Sequence, residues 1–240
     1  MSYFESRLRL NLEDIEEVEK KLEICKKLGI KNLVLESIKP QEKIPAEIKQ
    51  RIKNEKSIKF YFRVNLTPSN IKDFKNTIKN YNNFSEIISV ETSNKEVQIH
   101  AARDSRVDIL SFSDQNILKT LTPGVISLVK QNHSFIELSL APIMIRNRTL
   151  QSKNLRNLYR FVRLVIKFNT PYLISGNFNE LYDLRNPRAL VSLCISLLEM
   201  PFIEARRAFK DNPRLLLKRI QYRNDKDNYE AGVKLIRGGI

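Results

Sequence analysis

The side chains best suited to chemistry in this sequence are positively charged, and the chemistry they suit is the binding of phosphate. Residues 153–167, KNLRNLYRFVRLVIK, contain five cations and no acidic residue. In a helix with about 100° between residues, the five cations fall within an arc of about 80°, and apolar side chains cover the opposite side. Cations one turn apart repel each other, and a bound polyanion would offset that repulsion. We expect a basic ridge here, with an ordinary solvated face as the alternative; the ridge comprises Lys153, Arg156, Arg160, Arg163 and Lys167.

Three pairs of arginines stand close to the ends of predicted strands. One pair precedes the fifth strand, one follows the sixth and one follows the seventh; in that order they are Arg103 and Arg106, Arg146 and Arg148, and Arg185 and Arg188. In a parallel barrel the last two pairs would follow the carboxyl ends of adjacent strands, at the mouth where functional loops lie. The first pair belongs to the opposite end. Asp104 offers an ion-pair partner there, so a structural role is an equal alternative.

Recognisable catalytic motifs are absent from the sequence. The two histidines, His100 and His133, form no HxH or HxxxH pair, whereas metal ligands normally come in clusters. The chain has six glycines and no GxGxxG, GxxxxGK[ST] or GxSxG motif, so neither a nucleotide cradle nor a serine-hydrolase elbow is predicted. We predict no catalytic residue and no metal ligand. The enzymatic alternative is a carboxylate metal site built from Glu91, Asp108 and Glu137.

The charge of the chain also indicates an anionic partner. Its 240 residues contain 42 Lys and Arg against 27 Asp and Glu, a net charge of +15. Residues 121–240 carry 20 of the basic and 9 of the acidic side chains, and 13 of those 20 cations are arginine, whose planar fork suits phosphate. This asymmetry favours nucleic acid as the partner. A generally basic composition that aids solubility is the alternative.

Short apolar runs alternate with amphipathic helical segments along the chain. We predict strands at 3–10, 32–37, 58–66, 86–91, 107–113, 135–142 and 170–176, and helices at 14–29, 45–54, 67–81, 94–103, 122–132, 150–168, 186–200, 201–210 and 213–222. Helix 67–81 should begin with Thr67 as its N-cap and Pro68 as its first residue. The alternation predicts an α/β fold with a parallel sheet, most economically closed as a TIM-like (β/α)-barrel; a doubly wound open sheet is the competitor.

One domain is expected over residues 1–240, with a loose polar tail at 222–240. No apolar run reaches the ~18 residues that a membrane helix needs, and the N-terminal MSYFESRLRL lacks the apolar stretch of a secretory signal. Cys25 and Cys194 lie in apolar helical patterns and are expected to be reduced thiols. A cytoplasmic location without a membrane partner is therefore expected.

Several segments resemble one protein family. They are HAARDSRVDILSF (100–112), the long run from RTLQSKNLRNLYRF to CISLLEM (148–200), the dipeptide EA (204–205) and NPRLLLKRI (212–220). In their order and spacing they are similar to the ribonuclease P protein component 3 family, the thirty-kilodalton subunit of archaea and eukaryotic nuclei. The resemblance covers essentially the whole chain and is strongest over residues 97–220.

The resemblance implies a barrel related to the polymerase and histidinol phosphatase (PHP) metal-dependent hydrolases but without their metal ligands. It implies a non-catalytic RNA-binding subunit of archaeal ribonuclease P, the ribonucleoprotein endonuclease whose RNA removes the 5′ leader of precursor tRNA. The chain alone would be inactive and would bind no cofactor, since Mg²⁺ is used by the RNA. The implied partners are ribonuclease P RNA, precursor tRNA and a small RRM-like protein subunit, in a two-plus-two heterotetramer.

Arginines of the ARDSR, RNR and LRNPR segments match basic positions of the family. With the ridge they give the predicted RNA-binding set: Arg103, Arg106, Arg146, Arg148, Arg156, Arg160, Arg163, Lys167, Arg185 and Arg188. We expect the arginines at the mouth to be the main RNA contacts and the ridge to be secondary. A metal-dependent barrel phosphoesterase and a basic protein-interaction scaffold are the alternative functions.

Overall fold

A sheet of seven parallel strands forms the centre of the computed structural model. The structure describes residues 2–178, 180–225, 228–230 and 233–234. The strands lie in sequence order, each hydrogen-bonded to the next, and the first and last come together at a seam. This confirms the predicted TIM-like α/β barrel. The strands are β1 (Phe4–Leu10), β2 (Asn32–Ser37), β3 (Lys59–Leu66), β4 (Ile87–Glu91), β5 (Ile109–Phe112), β6 (Phe135–Ser139) and β7 (Tyr172–Ser175).

Helices occupy the connections between strands and pack around the sheet. They are α1 (Ile15–Lys27), α2 (Ala46–Lys53), α3 (Ile71–Lys79), α4 (Lys95–Arg103), α5 (Gln115–Leu118), α6 (Pro123–Gln131), α7 (Arg148–Lys167), α8 (Pro187–Leu197), α9 (Phe202–Arg206) and α10 (Asn212–Asn224). Two 3-10 turns lie at Ala141–Ile143 and Leu181–Asp183, and a π-helical segment, Arg207–Asp211, joins α9 to α10. Most predicted elements agree with these to within a few residues. α5 was not predicted because four residues are too few to show a helical period.

The start of α3 differs from the prediction. Asn70, not Thr67, is the N-cap, and its side chain accepts a hydrogen bond from the Asp73 amide at 2.9 Å. Pro68 lies in the preceding loop, where its carbonyl accepts a hydrogen bond from the Thr92 hydroxyl at 2.8 Å. Both a Thr-Pro and a Ser-Asn pair are good helix starts, so the sequence alone did not decide between them.

Successive residues of each strand face opposite sides of the sheet, which divides the barrel into layers. The outward-facing residues pack under the helices in the main core. At the N-terminal ends of the strands the inward-facing residues are apolar: Val34, Ile87, Ile109, Phe135 and Leu173. Two residues further along the same strands the buried inward positions are polar: Glu36, Ser89, Ser111, Glu137 and Ser175. The interior is therefore apolar at one end and polar at the other.

α10 closes the apolar end of the barrel. Leu216 and Ile220 pack against the inward-facing apolar layer. Arg219 Nε lies 3.2 Å from Asp108 Oδ1, and Arg223 Nη1 lies 2.9 Å from the same oxygen. Both arginines also donate to backbone carbonyls just before β4, β5 and β6. These two arginines hold the helix across the barrel and are structural.

The predicted tail at 222–240 begins too early, because α10 continues to Asn224. The Asn224 side chain donates to the Ser85 carbonyl at 2.7 Å, so the last residue of α10 contacts the segment just before β4. Farther on, the structure describes an antiparallel pair, β8 (Asn228–Glu230) and β9 (Val233–Lys234). The remainder of the predicted tail lies outside the described residues.

Two expectations from composition can be compared with the structure. No helix within the described ranges is both long and apolar enough to cross a membrane. Cys25 and Cys194 are buried free thiols, and burial raises the pKa of each to about 12. Both thiols are therefore protonated at neutral pH and poorly reactive.

Candidate nucleic-acid interface

The polar half of the barrel interior is filled by a network of arginines and glutamates. Arg7 of β1 is fully buried; its Nε donates to Glu36 at 2.8 Å and its Nη2 donates to Glu91 at 2.6 Å. Its Nη1 donates to the Ser111 hydroxyl at 2.9 Å and lies 3.5 Å from Glu137 Oε2. One guanidinium group therefore contacts carboxylates from three other strands.

Arg63 of β3 completes this network. Its Nη1 and Nη2 donate to Oε1 and Oε2 of Glu137, both at 2.9 Å, in a bidentate pair. Its Nε lies 2.7 Å from Glu36 Oε2. Arg9, which is partly exposed, adds a third guanidinium 3.0 Å from Glu36. The network thus contains three arginines and three glutamates, and their charges balance. The glutamates are Glu36, Glu91 and Glu137.

The arginines lower the pKa of Glu91 and of Glu137 despite the burial of both carboxylates. Burial alone would raise the pKa of Glu91, but the charge of Arg7 and a hydrogen bond from Ser113 outweigh it and hold the pKa at about 2. Burial would also raise the pKa of Glu137, yet Arg63 and Arg7 hold it below its ordinary value. Guanidinium groups thus occupy the positions beside these carboxylates where another cation would have to sit.

The three carboxylates of the metal-site alternative do not come together. Glu91 and Glu137 belong to the interior network, whereas Asp108 lies at the N-terminal end under two arginines of α10. Across the described ranges, no three His, Cys, Asp or Glu side chains form a group that could hold a metal. His100 lies near the end of α4 and His133 just before β6. The geometry therefore gives no support to the phosphoesterase alternative.

Sequence reasoning missed this network, although a signal for it exists. Arg7 and Arg63 stand within predicted strands, at positions that alternation assigns to the barrel interior. A charged residue on the inward face of a buried strand requires a partner of opposite charge. Small serines at inward positions of the other strands leave room for the two long side chains; they are Ser89, Ser111, Ser139 and Ser175.

The mouth of the barrel, at the carboxyl ends of the strands, contains an acidic cleft. Its volume is ≈ 400 Å³, and Asp114, Glu180 and Asp183 are among the residues that line it. Three carboxylates around one concavity repel an approaching phosphate. This sign of charge argues against the mouth as the main phosphate-binding surface, which the sequence had led us to expect.

Arg146 and Arg148 lie after β6, as predicted. Both are exposed, and Asn147 between them caps α7 by accepting a hydrogen bond from the Leu150 amide at 3.1 Å. Neither arginine forms an ion pair with an acid in the part of the chain that the structure describes. The pair therefore presents uncompensated positive charge where α7 begins.

The ridge on α7 has the predicted geometry. All five cations are exposed, and the opposite face of the helix packs into the core. One acid does approach the ridge: Glu199, in the turn after α8, lies 3.2 Å from Arg163 Nη2. The other four cations form no ion pair among the described residues. The ridge thus offers four uncompensated charges rather than five.

Arg185 and Arg188 do not lie at the mouth, contrary to the prediction. Residues 176–186 separate β7 from α8; among them the 3-10 turn Leu181–Asp183 contacts α1, and the chain is at the N-terminal end of the barrel by Asn186. There the Asn186 side chain donates to the Leu28 carbonyl. Eleven residues can span more than 30 Å when extended, so this connection is long enough to cross the height of the barrel.

The two arginines at the end of this connection differ from each other. Arg185 is exposed, but its Nη1 donates to the Tyr182 carbonyl at 2.6 Å and to the Leu184 carbonyl at 2.9 Å. Arg188 is exposed and lines a cleft together with Lys31, which precedes β2. Arg185 therefore supports its own loop, whereas Arg188 faces open space.

Arg103 and Arg106 lie at the N-terminal end, as predicted. Arg106 forms a bidentate pair with Asp104, with Nε–Oδ1 at 2.8 Å and Nη2–Oδ2 at 2.6 Å, and it also donates to Asn82 at 2.7 Å. Arg103 is exposed at the end of α4 and has no acidic partner in the described ranges. Arg106 therefore has the structural role that was the alternative to RNA contact for this pair, whereas the charge of Arg103 is available to a ligand.

Some exposed cations already have a partner within the described chain, and others do not. We call a cation free when it is exposed and has neither an ion pair nor a side-chain hydrogen bond within the described residues. The free cations of the regions above, together with Arg214 of α10, are Lys31, Arg103, Arg146, Arg148, Lys153, Arg156, Arg160, Lys167, Arg188 and Arg214. Binding a polyanion to these groups breaks no existing ion pair.

Comparison with known families identifies the group to which this barrel is related. The model of the family described as RNase P subunit p30 matches residues 3–225. The chain belongs to this family.

Two curated relatives match part of the chain. Ribonuclease P protein component 3 of Methanococcus maripaludis (strain DSM 14266) is 25% identical over 130 residues, which cover 54% of this chain and 56% of that protein. The protein of the same name from Methanothermobacter thermautotrophicus is 23% identical over 159 residues, 65% of this chain and 63% of that one. The matched regions thus span less than two thirds of each relative.

The fold of this RNase P subunit p30 family member is also found in a solved structure. A chain in the cryo-EM structure of archaeal Ribonuclease P with mature tRNA matches with a TM-score of 0.73, covering 99% of this chain and 96% of that one at 17% identity. At this identity the likeness shows the fold alone. Two of the three family-like arginine segments, ARDSR and LRNPR, lie toward the N-terminal end of the barrel, and RNR lies after β6. The relation to PHP hydrolases stays a prediction.

Proposed function

We propose that this chain is a non-catalytic, RNA-binding protein subunit of an archaeal ribonuclease P. One observation carries the proposal: Glu36, Glu91 and Glu137 inside the barrel are matched by three arginines, while a set of exposed cations is free. The described interior therefore offers no unengaged acid–base pair, whereas the surface suits phosphate. In this proposal the RNA and its Mg²⁺ perform the hydrolysis, and the chain itself binds no cofactor.

The proposed partners are ribonuclease P RNA and precursor tRNA. The names of the relatives and the presence of tRNA in the related archaeal assembly support both. An RRM-like protein subunit in a two-plus-two heterotetramer is the proposed protein partner, and it rests on the family resemblance. Free cations on the protein would lower the repulsion between phosphates as the RNA folds and binds its substrate. The archaeal relatives and an RNA substrate are consistent with action in the cytoplasm.

Reconstitution tests this proposal. The purified chain alone is expected to leave precursor tRNA uncleaved at every Mg²⁺ concentration. Added with the RRM-like subunit to archaeal ribonuclease P RNA, it should raise the cleavage rate by about tenfold or more at Mg²⁺ concentrations too low for the RNA alone, a change of about 1.4 kcal/mol in the barrier. An unrelated protein of similar net charge is the control. Robust Mg²⁺-dependent cleavage by the chain alone would contradict the proposal.

The ridge makes its own contribution to the proposed binding. Replacing Arg156, Arg160 and Lys167 with glutamine is expected to flatten the slope of log affinity against log salt for ribonuclease P RNA by up to about two to three units, because each lost phosphate contact removes about 0.7–0.9. Filter binding between about 50 and 300 mM salt measures the slope.

A charge-matched control for the ridge replaces Lys72 and Lys75 of α3 and Lys95 of α4 with glutamine. These lysines are exposed and form no ion pair with a described residue. If the ridge variant and this lysine control behave alike, the ridge is a solvated helix face. A chain that binds an acidic protein tightly but shows no steep salt dependence with RNA would instead be the basic interaction scaffold.

A further inference from the structure

A cleft of ≈ 550 Å³ opens at the N-terminal end of the barrel, away from the mouth. Its lining includes Tyr3 and Lys31, which precede β1 and β2, Arg188 of α8 and Arg214 of α10. Four separate segments of the chain meet there. A concavity built by several elements is typical of a binding site and differs from a groove along a single helix.

The backbone around this cleft is fixed without help from the cations. Gly29 has φ +70° and turns the chain between α1 and β2, in a conformation that favours glycine. Asn186 donates to the Leu28 carbonyl and accepts a hydrogen bond from the Arg188 amide at 2.8 Å. Asn212 fixes the start of α10 by donating to a carbonyl of β7 at 2.7 Å. The charged groups of the lining are therefore positioned but unused.

The cations of the cleft lack acidic partners. Lys31, Arg188 and Arg214 are exposed, and none forms an ion pair within the described part of the chain. At the same end of the barrel Arg219 and Arg223 are instead engaged by a buried aspartate and by backbone carbonyls. Three free cations around one concavity repel one another, and an anion that enters relieves this repulsion. The N-terminus of α8, which lines the cleft, adds partial positive charge.

We propose that this cleft binds the phosphodiester backbone of RNA. The inference rests on the proposed function, because RNA is taken to be the polyanion, and it adds where on the barrel the strand is held. Two arginine forks can each hold phosphate oxygens, and Lys31 adds a compact charge. Tyr3, which is partly exposed, supplies an aromatic wall for a ribose or base. The volume falls within the range of ordinary ligand sites.

The contrast between the two ends of the barrel favours this location. The cleft at the mouth is lined by three carboxylates, whereas the cleft at the N-terminal end is lined by three cations and no acid. Arg103 lies toward the same end of the barrel, outside the lining of this cleft. RNA should therefore approach the end opposite to the one at which TIM barrels usually carry their sites.

The test uses the full chain and an archaeal ribonuclease P RNA transcript. The cleft variant replaces Lys31, Arg188 and Arg214 with glutamine, and the lysine control, which replaces Lys72, Lys75 and Lys95, matches its change in charge. We expect the cleft variant to bind about tenfold or more weakly near 150 mM salt and to lose about two to three units of salt slope, and the lysine control to lose little. Circular dichroism checks that both variants are folded.

Chemical protection in the wild-type chain tests the cleft without any substitution. Lys31 in the wild-type chain is acetylated, and Arg188 and Arg214 are modified with phenylglyoxal, with and without the RNA, and the sites are read by mass spectrometry. We expect the RNA to protect these three residues and to leave Lys72 and Lys75 reactive.

The outcomes separate the cleft from the proposed function. Wild-type chain that shows no salt-dependent binding to the RNA overturns both. If the wild type binds with a steep salt slope while the cleft residues stay reactive and the cleft variant matches the lysine control, the cleft proposal alone is wrong. Loss of a protein partner without loss of RNA affinity in the cleft variant would also overturn it, since the cleft would then be a protein contact.

Discussion

Replacing Arg63 with methionine is expected to lower the free energy of unfolding by about 3–5 kcal/mol, the cost of leaving a buried carboxylate without its countercharge. Arg63 is 1% exposed and forms the bidentate pair with Glu137 inside the barrel. Methionine replaces the aliphatic stem but leaves Glu137 with one cation, Arg7, whose Nη1 is 3.5 Å away, and with the hydrogen bond from the Ser111 hydroxyl at 2.7 Å. Urea unfolding at neutral pH, followed by circular dichroism, measures the loss.

Two further variants show whether the loss comes from the buried charge. Arg51→Met also takes an arginine from a glutamate, Glu19, at 2.6 Å, but the two side chains are 61% and 56% exposed, so the loss should be at most about 1 kcal/mol. The double variant Arg63→Met/Glu137→Leu removes both charges and should recover most of the lost stability. An Arg63→Met loss no larger than that of Arg51→Met would mean that Glu137 does not depend on Arg63.

The interior network also explains why the surface is the place to look for function. Carboxylates buried inside a barrel need positive charge beside them, and here Arg7 and Arg63 supply it from the chain itself. Their side chains fill the space between the strands at the mouth end of the interior. On its outside the described barrel leaves the charge of the free cations unpaired, and that charge calls for an external anion.

The parts of the fold that could be predicted from the sequence depend on local patterns. IKFYFRVNL predicted a strand at 58–66 because its apolar and β-branched residues alternate, and β3 is found at Lys59–Leu66. The ridge was predicted because the helical period places its cations on one side, and that geometry depends only on α7. In both cases neighbours in the sequence carry all the information.

The parts that could not be predicted depend on partners far away in the sequence. Arg7 is 84 residues from Glu91, and Arg219 is 111 residues from Asp108, so no local period links either pair. The position of Arg188 depends on the contact of Leu181–Asp183 with α1 and on the hydrogen bond from Asn186 to Leu28, which follows α1. A rule based on strand ends placed that arginine at the mouth, because the rule assumes that a residue close behind a strand stays near its end.

Glu5 is expected to make the protein lose stability as the pH rises from about 5 to 8, and Glu5→Gln is expected to abolish that loss. Burial raises the pKa of Glu5 to about 8, against hydrogen bonds from the backbone amides of Gly176 and Arg7. Both amides donate to the same oxygen, Oε1, at 3.0 and 3.1 Å. Since Gly176 follows β7, the neutral acid links β1 to β7 across the seam of the barrel.

The sign of the effect follows from the two pKa values. In the unfolded chain Glu5 titrates near its ordinary pKa of about 4.3, so between about pH 4.5 and 8 the unfolded state releases a proton that the folded state keeps. The stabilising contribution is complete below this window, falls by up to about 1.4 kcal/mol per pH unit within it, and is lost above it. Glutamine does not titrate, and its carbonyl can accept the same two amides. The variant should therefore exceed the wild type in stability by an amount that grows from about pH 5 to 8.

Thermal unfolding of the wild type and of Glu5→Gln between about pH 5 and 8 measures this difference in stability. Glu96→Gln is the control, because Glu96 is exposed on α4 and forms no ion pair in the described chain. Parallel curves for wild type and Glu5→Gln would mean that Glu5 is ionised inside the folded barrel. The network would then hold four negative charges against the three arginines, one too many for a buried cluster. The pH dependence therefore tests the charge balance that makes the interior self-sufficient.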